Sequence, residues 1–280
     1  MLIEMAIGDA YGAGFEYVPT AFLRRHHDLT GYTQHPRHAI GAGRYTDDTQ
    51  MSLAIAETLV DGRPWTRHEL ADAFVRVFKR DPRVGYASRF QAFLEQVADG
   101  GQFLAEIVPH SDKSGGAMRA PPIGVLRSVS EVIDRARTQA ALTHDTTDGR
   151  EAAAAAALAT HYFVHDLGSR EEVGSFVQSE IGGQWSVPWS GKVEEKGWMA
   201  VRAALTALST EGTLSGVLRA SVDFEGDVDT VAAIALAAGS CARDITQDLP
   251  AWATERLENG VYGRDYLAAL DGRLMALAGA

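Results

Sequence analysis

The sequence predicts an all-α fold, a single compact multi-helix domain over residues 1–280. Three observations carry that expectation. Apolar residues recur at helical spacing in nearly every segment. No alternating apolar–polar run is long enough to make a useful strand. No linker, charge block or long-period repeat divides the chain.

The elements follow in chain order. A short helix begins almost at Met1. Met51, Ala54, Ile55, Thr58 and Leu59 place a second helix directly after Thr46-Asp47-Asp48-Thr49. Thr66 and Glu69 form a capping box, and Leu70, Phe74, Val77 and Phe78 repeat behind it. Tyr86, Phe90, Phe93, Leu94 and Val97 form the next apolar stripe, and Val125, Val129, Val132, Ile133 and Ala136 another. The run "REAAAAAALATHYF" is helical by alanine content alone. Ser169 with Glu172 opens a helix carrying Val173, Phe176 and Val177. Trp198, Val201, Leu205 and Leu208 mark one more, and Val231, Ile234, Ala235 and Ala238 the next. Leu267, Leu270, Leu274 and Leu277 line the last, for roughly ten helices in all. Residues 109–124, "PHSDKSGGAMRAPPIG", and 182–191, "GGQWSVPWSG", read as loops, where a helical scaffold carries its chemistry.

Composition narrows the function classes. Apolar residues make up 46% and charged residues 22%, enough for a sizeable core. The formal charge of −11 argues against a bulk grip on nucleic acid or an anionic membrane. A phosphate-bearing ligand would need a local positive device: a metal ion, a helix N-terminus or free backbone amides. Cys241 is the only cysteine, so no disulfide framework is expected and a reducing cytoplasm is the natural compartment. No signal peptide is read, and the apolar run "VAAIALAAGSCA" is too short to span a bilayer.

Two helix entrances are unusually acidic. Thr46-Asp47-Asp48-Thr49 opens one, and Asp227, Asp229 and Thr230 open another within "GDVDTVAAIA". One acid at such a place would act as a cap or complement the helix dipole. Four carboxylates converging from two entrances would repel one another without cations. An oxygen-only set suits Mg²⁺ or Mn²⁺ rather than zinc. Other acidic motifs fit less well. An aspartyl-phosphatase would need an apolar strand before Asp227 and a long α/β domain after it. An EF-hand would need a glycine and a closing glutamate that are absent, and Met51 occupies the last position of a DDxxD motif.

Taken in order and spacing, "GDAYGAGFEY" at 8–17, "TDDT" at 46–49, "SGGAMRAPPIG" at 114–124, "LTH" at 142–144 and "GDVDTVAAIA" at 226–235 resemble the ADP-ribosylglycohydrolase family over most of the chain. The resemblance implies an all-α domain with a dinuclear Mg²⁺ or Mn²⁺ cleft. It also implies hydrolysis of the bond between ribose C1″ of ADP-ribose and an acceptor. By the same resemblance Thr46, Asp47, Asp48, Asp227, Asp229 and Thr230 match metal-binding positions, with Asp47 and Asp48 also counted as catalytic. Glu16 matches a glutamate that approaches the metals and is the candidate proton acceptor. Ser114, Gly115, Gly116, Ala117, Met118 and Arg119 match the loop that cradles the distal ribose and diphosphate, and His144 a histidine lining the cleft. Missing or small side chains at Gly115, Gly116 and Ala117 suit close approach of backbone amides to phosphate.

Lys113, Ser114, Glu225 and Val228 depart from residues common in the family, and the first three leave the acceptor open: protein arginine or serine, a nucleic acid, or a small ester or phosphate. Arg119 is read equally as a diphosphate contact or as a tether to a carboxylate. His161 and His165 are read as ordinary residues at a helix end rather than metal ligands, and His26 and His27 as surface residues. Trp185 and Trp189 are read as packing rather than adenine-stacking residues. A monomer is expected. The rival from another class is a non-catalytic ADP-ribose-binding or crystallin-like structural relative, which loss of metal-matching residues would favour; all six are present.

Overall fold

The computed structural model describes residues 1–279. Their helices run α1 Leu2–Gly12, α2 Thr20–His26, α3 Asp47–Val60, α4 Arg67–Arg80, α5 Ser88–Gln96, α6 Gly100–Glu106, α7 Gly115–Met118 and α8 Val129–Ala140. The order continues with α9 Thr147–Val164, α10 Val173–Ile181, α11 Gly197–Thr210, α12 Leu214–Asp223, α13 Val228–Gly239, α14 Ala251–Glu255 and α15 Arg264–Gly279. Short 3₁₀ turns stand at Pro121–Val125 and Arg170–Glu172. Among the described residues β pairing is limited to isolated bridges, such as His110 with His144 and Lys113 with Lys196.

Two helices rich in small residues form the centre. Ala152–Ala157 in α9 are fully enclosed, and every residue of α13 is buried. A helix apolar on all sides must be surrounded, and α1, α3, α9, α11 and α12 surround α13. The closest approach is between α1 and α13. A Cβ at Gly8 would lie 2.4 Å from the Ala232 carbonyl oxygen, and one at Gly12 would lie 2.4 Å from Asp229 Cα. Backbone therefore meets backbone where the two helices cross, which only glycine allows.

The expected helices are present, with boundaries moved for local reasons. The Thr66 hydroxyl accepts the Glu69 amide at 3.3 Å, the capping geometry read from the sequence. The stripe that began at Val125 becomes helical only at Val129, with Ser128 as its cap, because Pro121 and Pro122 hold the preceding segment in a 3₁₀ turn. Ser169 opens a 3₁₀ turn, and α10 starts at Val173. The structure adds five short or modest helices to the expected set: α2, α6, α7, α12 and α14. In α12 the stripe Leu214, Val217, Leu218 and Val222 carried the signal.

His27 is not a surface residue. Its side chain is 3% exposed, with Nε2 donating to the Arg219 carbonyl and Nδ1 accepting the Tyr11 hydroxyl at 2.9 Å. His161 Nδ1 and His165 Nε2 both lie within hydrogen-bond reach of the Leu126 carbonyl oxygen, so the pair ties a turn to α9. Trp185 is buried, and Trp189 donates its indole N–H to the Gly191 carbonyl while meeting Trp198 edge to face. No helix among the described residues is long and apolar enough to cross a membrane.

Candidate metal centre

The first turn of α3 is fixed by a residue of α1. Asp9 is fully buried and accepts the Thr46 amide at 3.0 Å, the Thr46 hydroxyl at 2.8 Å and the Thr49 amide at 3.0 Å. The Thr49 hydroxyl donates to it as well. Both threonines of Thr46-Asp47-Asp48-Thr49 thus face Asp9, and neither intervening aspartate caps the helix. The cap contact from the Asp48 amide to the Thr46 hydroxyl is long, at 3.5 Å. Because Thr46 gives its proton to Asp9, its oxygen keeps lone-pair capacity for a cation.

The start of α13 is fixed by backbone geometry. Gly226 has φ +97°, and a Cβ there would lie 1.8 Å from the Val193 carbonyl oxygen. Val193 donates to the Glu225 carbonyl at 2.9 Å and accepts the Asp227 amide at 3.0 Å. The Tyr17 amide donates to the Gly226 carbonyl at 2.9 Å, which carries the adjacent Glu16 to the same place. His35 Nε2 donates to the Glu16 carbonyl at 2.9 Å from the other side.

These constraints bring Glu16, Asp227 and Asp229 together, with one carboxylate oxygen of each within 4.8 Å of the others. Asp47 and Asp48 join them electrostatically. Burial and the charges of Asp9, Glu16 and Asp227 hold the Asp47 carboxyl well above its ordinary pKa. Burial and the charges of Asp47, Asp9 and Asp227 do the same for Asp48, which Thr230 opposes by hydrogen bonding. Glu16 is pushed up to about 8 by burial and by Asp227 and Asp9. Asp229 is raised by burial and by Glu16, Asp48 and Asp227. Asp227 is raised chiefly by burial, against hydrogen bonds from Ser114 and Thr230.

The donor set fits a hard divalent cation. It consists of oxygen atoms only, its carboxylates disfavour one another's ionised forms, and Asp48 Oδ1 is buried without a hydrogen-bond partner. Opposite this cluster, Gly85 of the segment before α5 presses on Asp47: a Cβ there would lie 2.2 Å from Asp47 Oδ1.

The glycine loop closes another side. Ser114 donates its amide to the Glu195 carbonyl at 3.1 Å and accepts the amides of Ala117 and Met118. Among the described residues the amides of Gly115 and Gly116 have no backbone acceptor. The Ala117 amide, expected to face a phosphate, is taken by Ser114, and Met118 is buried. His144 lies against the loop: a Cβ at Gly115 would be 3.2 Å from its Nε2.

A family model described as ADP-ribosylglycohydrolase matches residues 1–280. The chain belongs to the ADP-ribosylglycohydrolase family. Among curated relatives, ADP-ribosylhydrolase ARH3 of Danio rerio is 28% identical over 170 residues, which are 57% of this chain and 45% of that protein. ADP-ribosylarginine hydrolase Tri1 of Pseudomonas putida is 24% identical over 254 residues, 84% of this chain and 67% of that one. For the ARH3 relative the match spans about half its length. A solved structure titled ADP-ribosylglycohydrolase-related protein complex superposes with a TM-score of 0.72 at 23% identity, covering 99% of this chain and 96% of that one, which establishes the shared fold.

Within this family member the residues singled out from the sequence do not all face one cleft. Glu16, Asp47, Asp48, Asp227, Asp229 and Thr230 share one electrostatic neighbourhood, with Thr46 at its Asp9 edge. Arg119 is 1% exposed and is a tether, but not to a carboxylate: it donates to Gln139 Oε1 at 2.6 Å and to Thr143 Oγ1 at 2.8 Å. Sequence reasoning gave no role to Asp9, Thr49, Gly85, Gln139 or Thr143. Asp9 and Thr49 lay inside motifs already noted, and the signal was the acid in "GDAYG", which an ordinary apolar helix does not need.

Proposed function

We propose that this protein is a metal-dependent hydrolase that cleaves the C1″ glycosidic bond of ADP-ribose from a modified acceptor. The observation that carries the proposal is the meeting of Glu16, Asp227 and Asp229 beside Asp47 and Asp48, next to a loop with free glycine amides. Family membership supports the same reaction class.

Two Mg²⁺ or Mn²⁺ ions, held by Thr46, Asp47, Asp48, Asp227, Asp229 and Thr230, would supply charge neutralisation and Lewis-acid polarisation of substrate oxygens. The chain's own residues do the rest. Asp9 holds the first turn of α3 so that Asp47 and Asp48 stay aimed at the cluster. Gly115 and Gly116 offer amides to the diphosphate, and Ser114 stands between this loop and Asp227. Cation charge beside Asp227 would offset the repulsion that keeps Glu16 protonated, and the ionised Glu16 accepts a proton from the attacking water as the water oxygen bonds to C1″. The C1″–acceptor bond breaks through an oxocarbenium-like transition state, and the proton passes to the departing acceptor.

The names of the ARH3 and Tri1 relatives support an ADP-ribosylated protein as substrate, with arginine in the second case. Serine-linked and nucleic-acid-linked ADP-ribose belong to the same proposal, as do a monomeric state and a cytoplasmic setting. The test is release of ADP-ribose from arginine-, serine- and DNA-linked substrates with Mg²⁺, with Mn²⁺ and with EDTA. Metal-dependent release from one linkage, abolished in an Asp47→Ala, Asp229→Ala double variant, is expected. Release that survives unchanged in that variant overturns the proposal, and tight ADP-ribose binding without turnover on any linkage favours the non-catalytic reading.

A further inference from the structure

His144 is 7% exposed, yet its Nε2 has no hydrogen-bond partner among the described residues. Its other nitrogen, Nδ1, lies 2.7 Å from Thr143 Oγ1. That same hydroxyl oxygen receives an N–H from Arg119 at 2.8 Å. Arginine can only donate, so Thr143 must accept from it. The single hydroxyl proton of Thr143 then has one acceptor in reach, His144 Nδ1. The reverse arrangement, with Nδ1–H donating, would leave the hydroxyl proton buried and unpaired, which costs about 1–3 kcal/mol.

Arg119 is held in turn. Its Nε donates to Gln139 Oε1 at 2.6 Å, its Nη2 also donates to the Gln139 carbonyl at 3.1 Å, and its guanidinium lies 4.4 Å over the Phe74 ring. This fixes the Gln139 amide with its NH₂ toward the Gly116 carbonyl, 2.8 Å away. One buried arginine therefore controls both the glycine loop, through Gln139, and the histidine beside it, through Thr143.

We propose that Arg119 and Thr143 are positioning residues that lock His144 as the neutral Nε2–H tautomer, presenting one hydrogen-bond donor across Gly115 to an oxygen of the bound ligand. Burial and the nearby Arg119 charge also keep the ring unprotonated, at a pKa of about 3. The identity of the ligand oxygen rests on the hydrolase reading; the tautomer does not.

The experiment is two-bond ¹H–¹⁵N correlation spectroscopy of the histidine rings, with His144 assigned by its loss in His144→Gln, alongside calorimetric titration with ADP-ribose. The wild-type protein is expected to show a protonated Nε2 and a bare Nδ1 before any ligand is added. Thr143→Val should yield a mixture of tautomers and an ADP-ribose Kd weakened about five- to tenfold, and Thr143→Ser should restore both. A wild-type Nδ1–H pattern overturns the proposal, as does a Thr143→Val protein that keeps both tautomer and affinity. So does a Thr143→Val protein that only melts earlier, with its tautomer unchanged. If the wild type shows the expected tautomer but does not bind ADP-ribose, the positioning stands and the hydrolase reading falls.

Discussion

The carboxylate of Asp9 accepts both the hydroxyl and the amide of Thr46, at 2.8 and 3.0 Å, so a residue of α1 sets the first turn of α3. This explains the order threonine, aspartate, aspartate, threonine. The outer pair anchors the turn and the inner pair is left for the site.

Replacing Asp9 should damage the site from behind. Asp9→Ala leaves two hydroxyls and two amides without their acceptor in a buried place, a loss of about 3 kcal/mol or more. The urea midpoint should fall, and Mn²⁺ should no longer raise it. A variant with its cation response intact would show that Asp9 does not hold Asp47 and Asp48.

Gly12 should tolerate no side chain. Its Cβ would meet Asp229 Cα at 2.4 Å, so Gly12→Ala must push α1 from α13. Overpacking of this kind destabilises by about 1–3 kcal/mol, and here it also separates Glu16 from Asp229. Chemical denaturation and Mn²⁺ calorimetry on the variant should register both losses, whereas Gly62→Ala, with open space around it, should preserve cation affinity.

Cation removal should be visible without substrate. An ion bound at a hundredfold excess over its Kd adds about 2.7 kcal/mol of stability. EDTA should lower the melting temperature of the wild type but not that of Asp47→Asn, Asp229→Asn, where the repulsion is already relieved. Equal EDTA shifts in both proteins would place the cation elsewhere.

His144 should contribute an acid-side loss of stability. Its pKa drops from 6.5 to about 3 on folding, so the unfolded chain takes up a proton that the folded chain refuses. Its contribution is complete above pH 6.5 and is lost as the pH falls toward 3, by up to about 1.4 kcal/mol per pH unit. The stability difference between wild type and His144→Gln should therefore shrink between about pH 7 and pH 5. A difference that stays constant would mean the ring titrates normally.

Glu225 holds a left-handed conformation, φ +61°, and its carboxylate accepts the Thr20 hydroxyl at 2.7 Å. Glu225→Gly should gain about 1 kcal/mol from released backbone strain, less the lost hydrogen bond, while Glu225→Ala keeps the strain and only loses. Both variants lose the Thr20 hydrogen bond, so Glu225→Gly should melt above Glu225→Ala, and equal melting temperatures would show that the backbone there is unstrained.

The helical class, the capping box at Thr66 and Glu69, and the acidic character of the two helix entrances are legible in the sequence alone. These are local properties: periodicity, propensity and charge at a helix start are written in neighbouring residues. What those residues face depends on packing between distant segments. Asp9 lies in α1 and could not be paired with Thr46 and Thr49 until α1 crossed α13 through Gly8 and Gly12. In the sequence Arg119 reads equally as a diphosphate contact or as a tether to a carboxylate, because a charged residue in a glycine loop can face solvent or turn inward. Only the packing of α8 against that loop buried it on Gln139 and Thr143, because the direction of a side chain depends on what the chain brings beside it from far away in sequence.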